Sequence, residues 1–242
     1  MNILRLSALT FATALLVHPL IAQSVQVNPA NRTIAITATD KVIVMADTAT
    51  VHVGFIAYGP DSDTAYANGS RISNAIVKAL TGAGVPNDAI ESENQNVSPV
   101  QEYQIDKLTP AERAQRKFQV VQSWTVRTPA DDAAKILDLA VKAGANQSGQ
   151  IDWSLKDENA PQAEAAGKAL QRARTVASEM AKGLSVKLGA LIYANNETQA
   201  EPPHPLMQAM TKGRATAAPA PLAINPRRIE KSATVYAVFA IE

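Results

Sequence analysis

The side chains whose type and placement could do chemistry are three histidines, His18, His52 and His204, and the carboxylates Asp47, Glu91 and Glu93. An imidazole beside carboxylates can act as a general base or join a metal ligand set. A zinc site needs three or four converging donors, often announced by a spacing such as His-Glu-x-x-His. No histidine here has a second histidine at such a spacing. His18 falls in an apolar leader, His52 on the polar side of an alternating run, and His204 among prolines. Asp47 stands at a strand entry, where aspartate usually serves as a turn or backbone partner. Glu91 and Glu93 share one strand face, either as a carboxylate pair or, more simply, as a solvated face. There is no Gly-x-Ser-x-Gly elbow and no phosphate-cradling loop. A Ser-His-Asp site built from distant residues stays open, with nothing pointing to one. The chain has no cysteine, which removes disulfides, thiolate ligands, a cysteine nucleophile and a lipid anchor on an N-terminal cysteine. The expectation is a non-enzymatic protein with no catalytic, cofactor-binding or metal residue.

Contacts are a different matter. Pro205-Leu206-Met207-Gln208-Ala209-Met210 lies in a Pro/Ala-rich loop, 199–227, in which prolines at 202, 203, 205, 219, 221 and 226 forbid a regular element. Loops this long are usually functional or mobile. Methionine side chains adapt to many partners, so Leu206, Met207, Met210 and Arg214 form a possible contact loop. The alternative is a loop with no fixed contacts.

The elements that would position these groups follow from periodicity. Thr33 to Ala38 alternates, a kink is expected near Asp40-Lys41, and Asp47 marks a break. From Ala49 the run Ala49, Val51, Val53, Phe55, Ala57 fills one face of a half-buried strand, with His52 on the other. Asp61 or Ser62 can cap the helix that follows. Ile72, Ala75, Ile76, Ala79, Leu80 and Ala83 recur at three- and four-residue steps, and Gly82, Gly84 and Pro86 stop it. An extended run from Ile90 to Gln104 and another, Phe118–Arg127, suggest a long antiparallel hairpin, with a short helical turn at Thr109-Pro110-Ala111-Glu112 between them. Thr128-Pro129 reads as the start of a helix carrying Ala133, Ile136, Leu137, Ala140 and Val141, stopped by Ala143-Gly144. Ile151–Leu155 alternates as a strand, so helix, Ala-Gly, loop and Ile-led strand occur twice. Asn159-Ala160-Pro161 opens the longest helix, whose stripe of Ala166, Leu170, Ala173, Ala177, Met180 and Leu184 keeps a heptad-like step. Strands are expected at Leu188–Ala194 and Ser232–Ile241. The fold class is α+β: helices packed on mainly antiparallel sheet, as two interlocked αβ lobes, 33–129 and 130–242.

The N-terminus has the pattern of an export signal over 1–22, followed by a flexible leader, 23–32. Arg5 precedes an apolar stretch, Leu6 to Val17, and Pro19-Leu20-Ile21-Ala22 ends it with a small residue. That stretch is too short for a membrane span, and no other qualifies. Lys and Arg number 23 against 22 acidic residues, and loss of Arg5 with the signal brings the net charge to about zero. A neutral chain has no electrostatic pull toward nucleic acid. The pattern fits a periplasmic protein that is not a lipoprotein.

Several segments together resemble the SIMPL domain family. They are Ala46-Asp47-Thr48-Ala49-Thr50-Val51, Gly84-Val85-Pro86-Asn87-Asp88-Ala89-Ile90, Ser98-Pro99, Val126-Arg127, Ala143-Gly144-Ala145-Asn146 and Val186-Lys187-Leu188-Gly189. Two departures stand out: Ser185 replaces the family's usual glycine, so that Gly183 is expected to take over the cap of the long helix, and Arg227-Arg228 follow Pro226. The resemblance implies an exported periplasmic or outer-membrane-associated protein, like the family's bacterial periplasmic immunogenic-protein-like members, one of which assembles into a hollow, channel-like oligomer. It also implies a loose link to oxidative stress and supplies no catalytic residues. The reading is an exported, non-enzymatic envelope protein forming a homo-oligomer. The alternative is a soluble periplasmic module that binds a small ligand, a peptide or an envelope polymer.

Overall fold

The computed structural model describes residues 32–197 and 221–242. The signal, most of the leader, His18, His204 and the contact residues Leu206, Met207, Met210 and Arg214 lie outside them. The described chain runs β1 (Thr33–Met45), β2 (Thr48–Gly59), α1 (Ser62–Gly82), β3 (Ile90–Pro99), α2 (Glu102–Ile105), α3 (Pro110–Gln115), β4 (Phe118–Pro129), α4 (Ala133–Lys142), β5 (Ile151–Ser154), α5 (Asn159–Gly183), β6 (Leu188–Glu197) and β7 (Arg228–Ile241). The strands form two sheets, ordered β1-β7-β6 and β3-β4-β2-β5, and every pairing is antiparallel. The α+β class expected from the pattern is the observed one.

Each sheet buries one face under helix. The alternation of β2 places Ala49, Val51, Val53 and Phe55 against Ile76 and Leu80 of α1 and Ile136, Leu137 and Ala140 of α4, with Trp124 and Val126 of β4 completing the core. Phe55 and Trp124 meet as a tilted ring pair at 5.9 Å. The three-stranded sheet buries Ile34, Ile36, Val235, Ala237 and Phe239 under α5. The sheets draw on both halves of the chain: β1 joins the C-terminal strands, while α4 and β5 join the N-terminal ones.

Helix starts and stops follow local chemistry. Asp61 caps α1, its Oδ1 accepting from the Thr64 backbone N–H at 2.7 Å. Thr109 and Glu112 form a reciprocal capping box at α3. The three long helices share one ending, in which a backbone N–H two residues past the cap reaches back across the last turn: Val85 N to Leu80 O, Ala145 N to Ala140 O and Val186 N to Ala181 O. The residue in between has positive φ each time: Gly84 at 94°, Gly144 at 116° and Ser185 at 56°.

Several local expectations need correction. β1 holds register with β7 without a break from Thr33 to Met45, so there is no kink at Asp40-Lys41; the charged pair simply stands on the ladder, with Lys41 Nζ donating to Glu230 at 2.9 Å. β3 ends at Pro99 rather than Gln104, because Gln101 caps α2. Thr128 does not cap a helix. It stays extended and buried, since β4 remains paired with β2 as far as Pro129, and α4 begins only after a short 3-10 turn, Ala130–Asp132. At α5 the residue before the helix is Glu158, and the side chain that caps the first turn is that of Asp157, whose Oδ1 accepts from Asn159 N and Ala160 N. The buried row of α5 is Ala165, Ala169, Ala173, Ala177 and Ala181, a strict four-residue step; Met180 and Leu184 are exposed, and so is Val141 on α4. A helix lying on a flat sheet needs small side chains along its line of closest approach, and alanine meets that need. Finally, Ser185, not Gly183, supplies the left-handed residue that ends α5.

Candidate functional site

The polar face of the four-stranded sheet gathers His52, Glu91 and Glu93, three of the groups singled out above. β2 alternates, so His52 projects on the side away from the helices. Its Nε2 lies 2.8 Å from Asp152 Oδ2 on β5, and its Nδ1 lies 3.5 Å from Glu93 Oε1 on β3. A β-bulge between Ser92 and Asn94 displaces β3 there, at Glu93. Glu91 pairs with Arg127 of β4 at 3.4 Å. The two carboxylates around His52 occupy opposite ring nitrogens and do not converge on one point. Nε2 is hydrogen-bonded to Asp152, whereas the approach of Glu93 to Nδ1 is a looser contact. Among the described residues no group of three or more His, Asp or Glu side chains could hold a metal ion. The arrangement is a polar brace across the sheet, from β3 over β4 to β2 and β5.

Asp47 is a backbone partner, as its position at a strand entry suggests. Its Oδ1 accepts from the Lys156 backbone N–H at 2.7 Å and from Thr48 Oγ1 at 2.8 Å. Its carbonyl accepts from Ala130 N, and the neighbouring Ala46 N donates to Arg227 O. The Lys156 amide, followed by the Thr48 hydroxyl, holds the Asp47 carboxyl below its ordinary range. Hydrogen bonds from Thr64 do the same for Asp61, and from Thr109 for Glu112. Asp47, Thr48, Pro86, Ala89 and Arg127 also line one cleft of about 670 Å³ at the end of the sheet, so three of the segments that carry the family resemblance meet in space.

The free edge of β2 beyond β5 is closed by the Ala143-Gly144-Ala145-Asn146 segment. Asn146 Oδ1 accepts from Ile56 N at 2.9 Å and its Nδ2 donates to Ile56 O at 3.0 Å, so one carboxamide stands in for a strand residue. Asp152 and Asn146 were not singled out by sequence. Asp152 lies on a recognisable strand, but its partner strand could not be read locally.

The surface best shaped for contact belongs to the three-stranded sheet. β1 and β6 are its two edges, and no helix covers the face opposite α5 among the described residues. β6 exposes Leu191, Ile192 and Tyr193, with Ile192 61% accessible. Tyr193 packs edge-on against Tyr236 with ring centres 6.2 Å apart. On β1, Ile43 and Met45 are exposed as well. The unbroken run Leu191-Ile192-Tyr193 was a sequence signal for this patch: a strand with one solvated face has no need of three large apolar residues in a row. No helix among the described residues is long and apolar enough to cross a membrane.

Comparison with known proteins gives one family. The profile of SIMPL, described as a protein of unknown function (DUF541), matches residues 34–239. The chain is also similar to the 26 kDa periplasmic immunogenic protein of Brucella melitensis biotype 1 (strain 16M), at 25% identity over 88% of this chain and 87% of that one. The protein of the same description from Brucella abortus (strain S19) is 24% identical over the same shares.

Proposed function

The chain belongs to the SIMPL family, and on that footing we propose that it is an exported, non-enzymatic protein of the bacterial envelope that assembles with copies of itself. The periplasmic relatives and the signal-like N-terminus support export. The observation that carries assembly is the three-stranded sheet, whose two different edges are unpaired among the described residues. β1 offers an edge of 13 residues in unbroken register, and β6 offers one flanked by exposed Leu191, Ile192 and Tyr193. Free edges present unpaired N–H and C=O groups that template pairing with another chain, and exposed apolar side chains add the drive for burial. Pairing β1 of one copy with β6 of the next is a head-to-tail contact, which closes into a ring when the rotation per copy allows it. The contacts of His52 with Asp152 and Glu93, which tie β2 to β5 and β3, support a structural role for the polar face.

Light scattering coupled to size exclusion on the chain lacking residues 1–22 tests this reading. The expected mass is a defined multiple of the single chain, falling toward the monomer in Ile192→Lys. A strict monomer at high protein concentration overturns it.

A further inference from the structure

A second surface lies on the other sheet. α1 packs over β2 and β4 and leaves the inner face of β3 largely uncovered. Gly69 sets this geometry: a Cβ there would lie 2.9 Å from Val120 Cγ1, so only glycine lets the helix touch the sheet along that line. Beyond the contact, helix and sheet diverge into a groove of about 390 Å³, within the usual range of small-ligand clefts, roughly 300–1,000 Å³.

The lining has a definite chemistry. α1 contributes Tyr66, Ser73 and Asn74, and the cross-strand neighbours Gln95 and Gln122 contribute two carboxamides. The side chains of Tyr66, Ser73, Gln95 and Gln122 make no hydrogen bond among the described residues. Asn74 uses its amide on Ser70 O at 2.9 Å and keeps its carbonyl oxygen free. Tyr66 is 63% exposed at the rim. Among the described residues no charged side chain lines the groove, so an ion entering it would lose water without gaining a counter-charge from them. Carboxamides and hydroxyls both donate and accept, which matches a ligand whose own groups do both. An exposed aromatic ring offers a flat apolar face beside them.

We propose that this groove binds a neutral saccharide chain, its hydroxyls bridging Gln95, Gln122, Ser73 and Asn74 while the C–H face of a sugar ring stacks on Tyr66. Sugar rings present hydroxyls around their edge and apolar C–H bonds on their faces, and the groove offers both complements at once. The site is separate from the sheet edges proposed for assembly and does not depend on them.

The test uses the full mature chain and two defined probes, a β-1,4-linked N-acetylglucosamine tetramer and maltotetraose, followed by NMR of backbone and side-chain amides. The expected result is saturable shifts at the Gln95 and Gln122 carboxamides with at least one probe, with a dissociation constant of about 1 mM or tighter. Tyr66→Ala and Gln122→Ala should weaken binding about tenfold or more, equivalent to about 1.4 kcal/mol, with thermal melting unchanged. Loss of binding in Gln122→Ala with restoration in Gln122→Asn would separate recognition from folding. No saturable shift with either sugar, shifts that persist unchanged in both alanine variants, or saturable binding only of an uncharged Ser/Asn-rich peptide would overturn the proposal.

Discussion

Ser185 occupies the place that glycine holds at the ends of α1 and α4. A left-handed backbone costs an L-residue about 1–2 kcal/mol, which glycine avoids at the expense of about 0.5–1 kcal/mol of unfolded-chain entropy. Ser185→Gly should therefore stabilise the protein by about 0.5–1 kcal/mol, and thermal denaturation should show a rise in midpoint of roughly 2–4 °C. The same reasoning reversed makes Gly84→Ala destabilising, because φ there is 94°. Asn146 is the other single residue whose loss should be felt. Asn146→Ala leaves both backbone groups of Ile56 without their partner; each lost bond to a partly covered group costs about 1 kcal/mol, and a urea midpoint shift of that sign would be the readout. Ser185 was visible in sequence as a departure from the glycine usual in the SIMPL family, but the cap was expected at Gly183 and not at Ser185 itself. Asn146 was visible only as part of a motif, because its partner lies 90 positions away and no local pattern announces a carboxamide acting as a strand residue.

At the scale of elements, α5 shows what periodicity can and cannot tell. Both a heptad-like stripe and a four-residue alanine row run through its sequence, and the two overlap at Ala173 and Ala177. Hydrophobicity favours the stripe that includes Met180 and Leu184; the sheet favours the alanines, which let the helix axis come close to β1 and β7. Size, not hydrophobicity, decided the contact. Ala173→Leu should overpack this seam and cost about 1–3 kcal/mol in denaturant unfolding, whereas Val176→Ala on the exposed side should stay within about 0.5 kcal/mol of the parent. β2 and β4 were legible because each alternates between a helix-covered and a solvated face, whereas β3, exposed along most of its length, gave no such signal for its end. The brace of Glu93, His52 and Asp152 was not legible. It depends on strand order, β3-β4-β2-β5, and order is fixed by pairing between segments that do not neighbour one another in sequence.

At the scale of the whole molecule, the described elements pass from one sheet to the other twice: between β1 and β2 at Ala46-Asp47, and between β5 and α5 around Lys156. Asp47 staples the two crossings through its carboxylate and the Lys156 amide. Because its pKa is held down in the folded protein, its contribution is present above the ordinary carboxylate range and fades as pH falls through the lowered value. Denaturant melts of the parent and Asp47→Ala should thus differ most at neutral pH and draw together as pH falls below the ordinary carboxylate range. Asp61 and Glu112 add dependence of the same sign. The pairing of β1 with β7 has a further consequence in time. Thr33 lies opposite Ala240, so β1 can close its hydrogen bonds only after β7, which follows every other described strand, has left the ribosome. Everything from β2 to β5 can mature early, while β1 stays an unmatched ribbon. A nascent chain built this way keeps β1 threadable until β7 emerges, and a late act of its folding is to join these two distant strands.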